Sequence, residues 1–448
     1  MKIIIAGAGA VGFHLAELLS REDQNITLID LNEEVLIHAS THLDVLTIRG
    51  DAGSMEIMEQ AQVSSADLFI SVTTSEKTNL LVCILAKQIG AKKTIARVNN
   101  AEYFETEQTE RFVNLGVDVL VSPIQLAAKE ILRLLHRASF SDLFEFENGK
   151  ISVVGFTLDH SCPLINKSIQ SIAEIEHNFP FRAVALLRRS KTIIPRGDTV
   201  LKKGDQLFMS IQKKQMEKAM AFVGKQLKPV KSVMIVGESD LAINAAKLIE
   251  DKYNLIIVMK NKTQEIKCVE TLNKGLVIHA DPGNIDALKE ENLEQMDAFV
   301  ALTENSETNI ITSLMAKEAG VYKTIALVDD INYTYISQNI GVGIDSIVNK
   351  KLMAANVIFR YVRKGQVEAI ANLHGVDAEM IEFTIHKKNR ILKHPIRDLH
   401  LPEKSIIAGI IRGTESYIPD GNFYFELNDK VIVLALPDAI SQVEEIFK

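Results

Sequence analysis

The sequence predicts an α/β fold with two doubly wound parallel sheets, each followed by a smaller α+β domain. Two observations indicate this fold class. Short apolar segments alternate with segments of helical period, and the whole arrangement occurs twice along the 448 residues. The apolar segments III, TLID and LFIS show no alternation of polar and apolar residues. Such segments are typical of parallel strands that helices cover on both faces.

The first sheet is predicted from the order of its elements. A helix is expected after each strand, because parallel strands need a crossover connection. Strands are predicted at 2–6, 25–30, 43–48, 67–71, 93–98 and 117–121, and helices at 10–21, 54–61, 76–89 and 123–137, with one further helix after the second and after the fifth strand.

An internal repeat carries this arrangement into the second half of the chain. GDAGSMEIMEQAQVSSADLFISVTTSEKTNLL in the first half matches ADPGNIDALKEENLEQMDAFVALTENSETNII in the second. Asp51 and Asp281 are 230 positions apart, and so are Gly7 and Gly237. The register of the repeat therefore holds without a net gap from the first strand to about Val98.

A shorter segment follows each sheet and is also repeated. TIIPRGDTVLKKGDQLFM, from Thr192, resembles SYIPDGNFYFELNDKVIVL, from Ser416, and both predict short strands joined by a turn. We therefore predict four domains rather than the three that length alone suggests. Their predicted bounds are 1–138 and 230–362 for the two large domains, and 139–226 and 363–448 for the two small domains.

The composition narrows the class of protein. Hydrophobic residues make up 47% of the chain, which is enough for several buried cores, and the net charge of −8 argues against a general attraction to nucleic acid. Three widely spaced cysteines without a CxxC motif indicate a reducing compartment and no zinc site. The sequence contains no apolar run of the ~18–20 residues that a membrane span needs. Any role at a membrane would therefore be peripheral.

A glycine-rich turn follows the first strand. In KIIIAGAGAVG, the pattern Gly7-x-Gly9-x-x-Gly12 lies between a strand and a helix, the context of a Rossmann-like dinucleotide site. Gly7 allows the tight turn, Gly9 lets a pyrophosphate approach the backbone, and Gly12 lets the helix pack close to the strand. The helix N-terminus attracts the phosphates through its free N–H groups. The predicted contacts in this turn are Gly7, Ala8, Gly9, Ala10, Val11 and Gly12.

An acidic residue at the end of the second strand fits the same site. Asp30 lies 18 residues beyond Gly12, where a carboxylate can accept hydrogen bonds from ribose hydroxyls. This carboxylate would repel a 2′-phosphate. The sequence therefore favours NAD or an adenosine nucleotide over NADP.

Further polar residues lie at or after the ends of the third, fourth and fifth strands, and each has two possible roles, one in ligand binding and one in the fold. Asp51 could face the adenine or cap the helix near Ser54. Thr73 and Thr74 could reach the ribose or the phosphates, or could cap the following helix. Arg97 lies within a strand and could face a phosphate or form an ion pair with a carboxylate.

The second copy of the turn, KSVMIVGESDLA, keeps one of the three glycines. Gly237 remains, whereas Ser239 and Ala242 occupy the other two positions, and Ser239 narrows the room for a pyrophosphate. By the offset of 230, Lys260 replaces Asp30; a lysine cannot accept ribose hydrogen bonds, although it could pair with a phosphate. We expect the second sheet to persist with nucleotide binding through Gly237, Ser239 and Lys260 altered or lost.

These features together resemble one family over essentially the whole chain. The segments that carry the resemblance are KIIIAGAGAVG, TLID, GDAG, TTSEKTNL, KKTIARV and the two IPRGDTVLKKGDQLF-like segments. They are similar to the TrkA family of the Trk potassium uptake systems, whose members contain two RCK (regulator of potassium conductance) units. The chain departs from the family pattern at GESDLA, at Lys260 and at Leu327, which replaces Arg97 in the second half.

The resemblance implies a regulatory role. It implies a cytoplasmic subunit, peripheral on the inner face of the cell membrane, that forms a homo-oligomer (dimer or tetramer) and gates a membrane potassium-translocating Trk subunit. It also implies binding of NAD(H) or of ATP/ADP without catalysis. The contacts carried over to the first half are Gly7 to Val11, Asp30, Thr73, Thr74 and Arg97.

The sequence leaves two alternative classes of protein. An NAD-dependent oxidoreductase is the main alternative, but it would need a substrate domain with an acid or base near the nicotinamide, and no histidine or lysine stands in such a context. A transcriptional regulator is the weaker alternative, because it would need a helix-turn-helix and a basic patch, and neither is evident in the sequence. His38 and His42 have no acidic partner at the spacing of a metal site, so no metal is predicted.

The segment PIQLAAKEILRLLHRA, residues 123–138, predicts a strongly amphipathic helix. One face carries Ile124, Ala127, Ile131 and Leu135. This face could belong to a core or to a dimer surface. The core is the default interpretation for such a face, and the family resemblance adds weight to the dimer surface.

Overall fold

The structure is a computed structural model of the chain. It describes residues 1–20, 24–136, 138, 140, 142–175, 179–189, 191–225, 228–330, 333, 343–363, 369–372, 378–386 and 390–447. The predicted helix ends at residues 21 and 137 and the predicted domain boundaries at 139 and 226 lie outside these ranges.

The first large domain contains a parallel sheet. Its strands are β1 (Lys2–Ala6), β2 (Asn25–Asp30), β3 (Leu46–Arg49), β4 (Leu68–Ser71), β5 (Thr94–Arg97) and β6 (Val119–Val121). Within the described residues they form a six-stranded sheet in the order β3-β2-β1-β4-β5-β6. All four residues of β4 are buried, as the lack of polar alternation predicted.

Helices connect these strands. They are α1 (Ala10–Ser20), α2 (Glu33–His42), α3 (Met55–Gln60), α4 (Glu76–Ile89), α5 (Thr106–Leu115) and α6 (Pro123–His136). The predicted alternation of strands and helices is confirmed. The largest difference in a boundary is at β3, which was predicted from residue 43 and begins at Leu46; the other boundaries within the described residues agree to within two residues. The Leu43 N–H donates to the Ala39 carbonyl at 2.9 Å and closes the end of α2, so Leu43 cannot start a strand.

The first small domain is an antiparallel sheet with two short helices. Its elements are β7 (Asp142–Phe146), β8 (Ile151–Thr157), α7 (Ile169–Ile175), β9 (Phe181–Arg188), β10 (Lys191–Ile193), β11 (Gln206–Gln212) and α8 (Met216–Phe222). Among the described residues the strand order is β10-β9-β11-β8-β7.

The second large domain repeats the fold of the first. Its elements are β12 (Ser232–Val236), α9 (Asp240–Ile249), β13 (Asn254–Met259), α10 (Lys262–Thr271), β14 (Leu276–His279), α11 (Ile285–Glu290), β15 (Ala298–Ala301), α12 (Ser306–Glu318), β16 (Lys323–Leu327), β17 (Ser346–Val348) and α13 (Lys350–Arg363). The sheet order, β14-β13-β12-β15-β16-β17, corresponds to that of the first sheet. The predicted duplication of a doubly wound parallel sheet is therefore confirmed.

The second small domain repeats the antiparallel sheet. Its elements are β18 (Ala369–Asn372), β19 (Glu379–Thr384), β20 (Ser405–Arg412), β21 (Glu415–Tyr417), β22 (Lys430–Ala435) and α14 (Ile440–Phe447). The strand order in its described part is β18-β19-β22-β20-β21.

An arginine–aspartate pair occurs at the same place in both small domains. Arg188 contacts the buried carboxylate of Asp205 at 2.7 Å, and Arg412 contacts the buried carboxylate of Asp429 at 2.8 Å. Each arginine also donates to a main-chain carbonyl. A buried carboxylate needs such a partner, so this repeated pair fixes the turn that the two IPRGDTVLKKGDQLF-like segments share.

The last helix of each large domain packs on the other large domain. Ala127 and Ile131 of α6 lie in one core cluster with Val233 and Ile257 of the second sheet. The predicted apolar face of residues 123–138 is therefore core, but it is the core of the second large domain of the same chain. In the reverse direction, α13 packs against α1 and the first sheet.

The two small sheets also pack against each other. Val153 and Phe208 of the first small domain share a buried cluster with Met380 and Ile432 of the second. An ion pair of 2.6 Å between Lys430 and Glu147 crosses the same contact. The two halves of the chain are thus joined at both levels, large domain to large domain and small to small.

Candidate nucleotide-binding site

The candidate site lies where the strand order of the first sheet reverses. Strand β1 pairs with β2 on one side and with β4 on the other, and the connections leave the sheet in opposite directions from these strands. A crevice forms at the carboxyl ends of strands at such a point. The glycine-rich turn between β1 and α1 lies there.

The three glycines of the turn have different surroundings. Gly7 has φ of +100°, a conformation that a residue with a Cβ rarely adopts, and a Cβ on it would lie 2.9 Å from the Thr73 N atom. A Cβ on Gly12 would overlap the carbonyl oxygen of Gly7. A Cβ on Gly9 would meet no atom within 4 Å. The turn is thus packed on the side of Gly7 and Gly12 and open on the side of Gly9.

The carboxylate of Asp30 is fixed beside the turn. One oxygen accepts the N–H of Ala8 at 2.7 Å, and the other accepts the N–H of Asn32 at 2.9 Å. A carboxylate has about four acceptor positions, so these two bonds orient Asp30 and leave others open. Asp30 therefore links the ends of β1 and β2 and presents acceptors at the crevice.

Asp51 forms a local turn after β3. Its Oδ1 accepts the N–H of Gly53 at 2.8 Å, and Ser54, which precedes α3, makes no side-chain cap bond. Asp51 thus shapes the loop before α3 and stays exposed. Its alternative role toward adenine remains a prediction.

A buried asparagine organises the end of β4. The Asn79 Oδ1 accepts from the Thr73 N–H at 2.9 Å, from the Thr73 hydroxyl at 2.7 Å and from the Ser71 hydroxyl at 2.9 Å. Its amide donates to the Thr73 carbonyl at 3.1 Å and to the Arg97 carbonyl at 2.8 Å. The sequence reasoning missed Asn79, although Asn309 in the second half makes the same bonds to Thr303.

The helix cap after β4 belongs to neither predicted threonine. Ser75 caps α4, because its hydroxyl accepts the Thr78 N–H at 3.2 Å. Thr73 is held by Asn79, and Thr74 is exposed at the crevice. The capping alternative for these two threonines is therefore wrong.

Arg97 ends β5 as a half-buried cation. Among the residues that the structure describes, its side chain has no ion pair and no hydrogen bond. Burial lowers the pKa of Arg97, while the carboxylate of Asp329, from the second large domain, opposes that shift. The predicted alternative of a direct ion pair is thus not realised within the described residues.

The second turn is closed by its own side chain. Ser239 caps α9 by accepting the Ala242 N–H at 3.3 Å, and its hydroxyl donates to the Leu302 carbonyl at 2.9 Å. Ser239 is 9% exposed. Where Gly9 leaves open space at the helix N-terminus, Ser239 therefore occupies it.

An ion pair and a hydrogen bond replace the contacts of Asp30 in the second crevice. Lys260 contacts Asp281 at 2.7 Å; their hydrogen bond raises the pKa of Lys260 and lowers the pKa of Asp281. The Glu238 carboxylate accepts the Asn261 N–H at 2.9 Å. In the second domain, the carboxylate that links the ends of β12 and β13 is therefore that of Glu238, which lies in the turn at the position equivalent to Ala8.

The remaining predicted features concern metals and membranes. The rings of His38 and His42 stack at 4.3 Å, and His42 Nδ1 lies 2.8 Å from the His38 carbonyl oxygen. In the described part of the chain, no cluster of three or more His, Cys, Asp and Glu side chains is arranged for a metal ion. No described helix combines the length and the apolar character that a membrane crossing requires.

Family models match both kinds of domain. The TrkA-N domain matches residues 3–123 and 233–350, and the TrkA-C domain matches residues 153–224 and 380–448. The matches therefore alternate along the chain in the order large, small, large, small.

Curated relatives and solved structures align with the whole of this chain. The Trk system potassium uptake protein TrkA homolog 1 of Methanosarcina mazei is 32% identical over 100% of both chains. The Trk system potassium uptake protein TrkA of Halomonas elongata is 30% identical, over 100% of this chain and 99% of its own. The GsuK RCK domain aligns with a TM-score of 0.60 at 14% identity, over 100% of this chain and 94% of that chain. The GsuK channel bound to NAD aligns with the same TM-score and identity, over 100% and 78%. The chain belongs to the TrkA family of Trk system potassium uptake proteins.

Proposed function

We propose that the chain is a nucleotide-binding regulatory subunit of a Trk-type potassium uptake system. It would bind NAD(H), or ATP/ADP, in the first large domain and gate a membrane potassium-translocating subunit. The names of its relatives support the potassium system. Solved structures of the similar GsuK channel bound to NAD and to ADP support the proposal that the ligand is a nucleotide.

The observation that carries the proposal is the open first turn beside an oriented carboxylate. The space at Gly9 gives a pyrophosphate access to the N-terminus of α1. Asp30, fixed by the N–H groups of Ala8 and Asn32, would accept the ribose hydroxyls. Its charge disfavours a 2′-phosphate, so NAD(H) is preferred to NADP(H). Thr73, Thr74, Asp51 and Arg97 would complete the rim of the crevice.

We propose further that the second turn does not bind a dinucleotide. Ser239 occupies the helix N-terminus, and Lys260 is engaged by Asp281 at the place where ribose would lie. A ligand would have to displace these contacts. Gly237, Ser239 and Lys260 would then serve the fold of the second domain.

The partners follow from the regulatory role. The chain would act from the cytoplasmic side, peripheral at the membrane, as a homo-oligomer (dimer or tetramer) beneath the membrane subunit and without binding nucleic acid. A nucleotide shifts such an assembly only if its affinity differs between the conformations of the assembly. The rival proposal, an NAD-dependent oxidoreductase, predicts hydride transfer rather than binding alone.

The test is calorimetric titration of the purified chain with NAD, NADH, ATP and ADP. We expect one high-affinity site. Asp30→Asn keeps an acceptor for Ala8 but removes the charge, and it should weaken binding about tenfold or more, because hydrogen bonds to charged groups contribute ~1.5–3 kcal/mol. The matched control is Lys260→Ala at the equivalent position, which should leave the affinity unchanged. A chain that binds none of the four ligands at millimolar concentration would not be a nucleotide sensor, and turnover with NADH followed at 340 nm would favour the oxidoreductase.

A further inference from the structure

Helix α13 of the second large domain packs against α1, α6 and β6 of the first large domain. Near its end, Tyr361 lies under the ammonium of Lys93, 5.6 Å from ring centroid to Nζ, just before β5 begins. Between the two ends, Ile358 of α13 shares a core cluster with Ile95 of β5. The first turn of α13 therefore points toward the carboxyl end of β5, which is the edge of the candidate nucleotide site.

An ion pair stands at this first turn. The Asp329 carboxylate contacts the Lys350 ammonium at 2.6 Å and accepts the Lys350 N–H at 3.3 Å. The Asp329 side chain is 17% exposed, so its charge is only partly screened by water. Arg97, at the end of β5, is the half-buried cation on which this carboxylate acts. Arg97 is thus at the edge of the first crevice and within the electrostatic influence of a carboxylate of the second large domain.

The equivalent two charges are missing on the other side of the pseudo-symmetric pair of large domains. By the offset of 230, Leu327 stands for Arg97 and Asn99 stands for Asp329. Leu327 is buried in the core cluster that α6 completes. Both members of the charge pair are therefore present on one side and both are replaced by uncharged residues on the other.

We propose that Arg97 is a relay between the two halves, for which the phosphates of a nucleotide in the first site compete with the Asp329–Lys350 pair. With the site empty, the guanidinium is drawn toward Asp329 and helps hold the start of α13. With a nucleotide bound, it turns toward the phosphates, and Asp329 is left to Lys350 alone. This proposal rests on the proposed function, because it needs a nucleotide in the first site.

The order of elements along the chain indicates which domain would respond to a nucleotide in the first site. Helix α13 ends at Arg363, and the second small domain follows it. The first site would therefore act on the second small domain, through a helix that belongs to the second half but packs on the first. The second large domain has no such relay, since the uncharged side chain of Leu327 can bind neither a phosphate nor a carboxylate.

The experiment is a double-mutant cycle on nucleotide affinity, measured by calorimetry with NADH and ADP. Arg97→Gln should weaken binding about tenfold, and Arg97→Lys should restore part of it. Asp329→Asn should tighten binding about threefold, because the competitor is removed, and should have no effect in the Arg97→Gln background. Lys350→Gln should weaken binding, because it leaves Asp329 free to hold Arg97 more strongly.

These opposite signs separate a relay from general damage. Loss of stability would move the Asp329 and Lys350 variants in the same direction. The control is Asp345→Asn, which removes a similar ion pair with Lys317 at the far end of the strands and should not couple to Arg97. Additive effects of Asp329→Asn and Arg97→Gln would overturn the relay while leaving nucleotide binding intact. Absence of binding to the unmodified chain would overturn both proposals.

Discussion

The two large domains share one sheet order and one buried hub, and they differ at the carboxyl edge of the sheet. In both, an asparagine of the fourth helix, Asn79 or Asn309, accepts from the threonine that follows the fourth strand and donates to the fifth strand. At the edge itself, Asp30 of the first domain binds the turn, whereas in the second domain Glu238 of the turn binds the loop. Contacts that the fold needs occur in both domains, and contacts that suit a ligand occur in one.

The difference shows how a duplicated sheet can lose a ligand without losing its structure. Opening the first turn requires glycine at position 9, while Ser239 supplies a cap that strengthens the N-terminus of α9. The cap contributes to helix stability in place of a bound phosphate. The second domain therefore keeps its shape with no ligand and can serve as the partner that the exchanged helices need.

The largest effect should come from an exchange at the third glycine position. Gly12→Ala places a methyl group on the Gly7 carbonyl oxygen, so the turn must open. We expect a loss of about 3 kcal/mol in the unfolding free energy of the first domain, as for overpacked cores, together with loss of nucleotide binding. Ala242→Gly is the mirror substitution and should cost about 1 kcal/mol through helix propensity, with no change in binding. Urea unfolding and calorimetry check both, and an equal cost at the two positions would mean that the two turns are packed alike.

Much of this comparison could be read from the sequence, because glycine spacing and strand alternation are local patterns. The sequence predicted the two sheets, the open turn with Asp30 and the altered second turn with Ser239. The pairing of Lys260 with Asp281 could not be predicted from the sequence, since both residues are exposed and follow different strands, β13 and β14. It also could not assign the apolar face of α6, because an amphipathic pattern shows that a face is covered but not by which domain.

Asn79 was missed for a different reason. A polar residue within a helix usually faces water, and only the fold brings it to the end of β4. The signal that could have revealed it is the repeat: an asparagine occurs at the same position in TTSEKTNL and in TENSETNI. A polar residue retained at the same helical position in both halves, while the edge residues diverge, indicates a structural hydrogen-bond centre.

An intermediate effect is therefore expected at the two asparagines. Asn79→Ala and Asn309→Ala each leave buried main-chain and hydroxyl groups without partners, which should cost about 2–3 kcal/mol in the domain concerned. The two losses should be similar, since the bonds are nearly the same. Only Asn79→Ala should also weaken NADH binding, because Thr73 borders the first site. Calorimetry with thermal unfolding separates these readouts. If Asn309→Ala weakened NADH binding as much, the second domain would take part in the site.

The smallest effect concerns an acidic anchor at the end of α9 in the second large domain. Glu250, at the end of α9, is 5% exposed; it contacts the Lys247 ammonium at 2.7 Å and accepts the N–H groups of Asn273 and Lys274 at 2.8 Å. The equivalent residue of the first domain is Ser20, whose hydroxyl donates to its own helix. The anchor therefore fastens the loop before β14, and the first domain has no counterpart at this position.

The contribution of this anchor should depend on pH. The bond from Lys247, with the N–H groups of Lys274 and Asn273, lowers the pKa of Glu250 from 4.5 to about 2. A carboxylate with a lowered pKa stabilises the fold above its unfolded pKa, so the contribution is full above about pH 4.5 and is lost as the pH falls toward 2. Glu250→Gln should thus lower the unfolding midpoint at pH 7, and the two chains should converge near pH 2. Ser20→Ala is the control, with a pH-independent change. A difference between wild type and Glu250→Gln that stayed constant from pH 7 to pH 2 would show that the anchor acts through its shape and not through its charge.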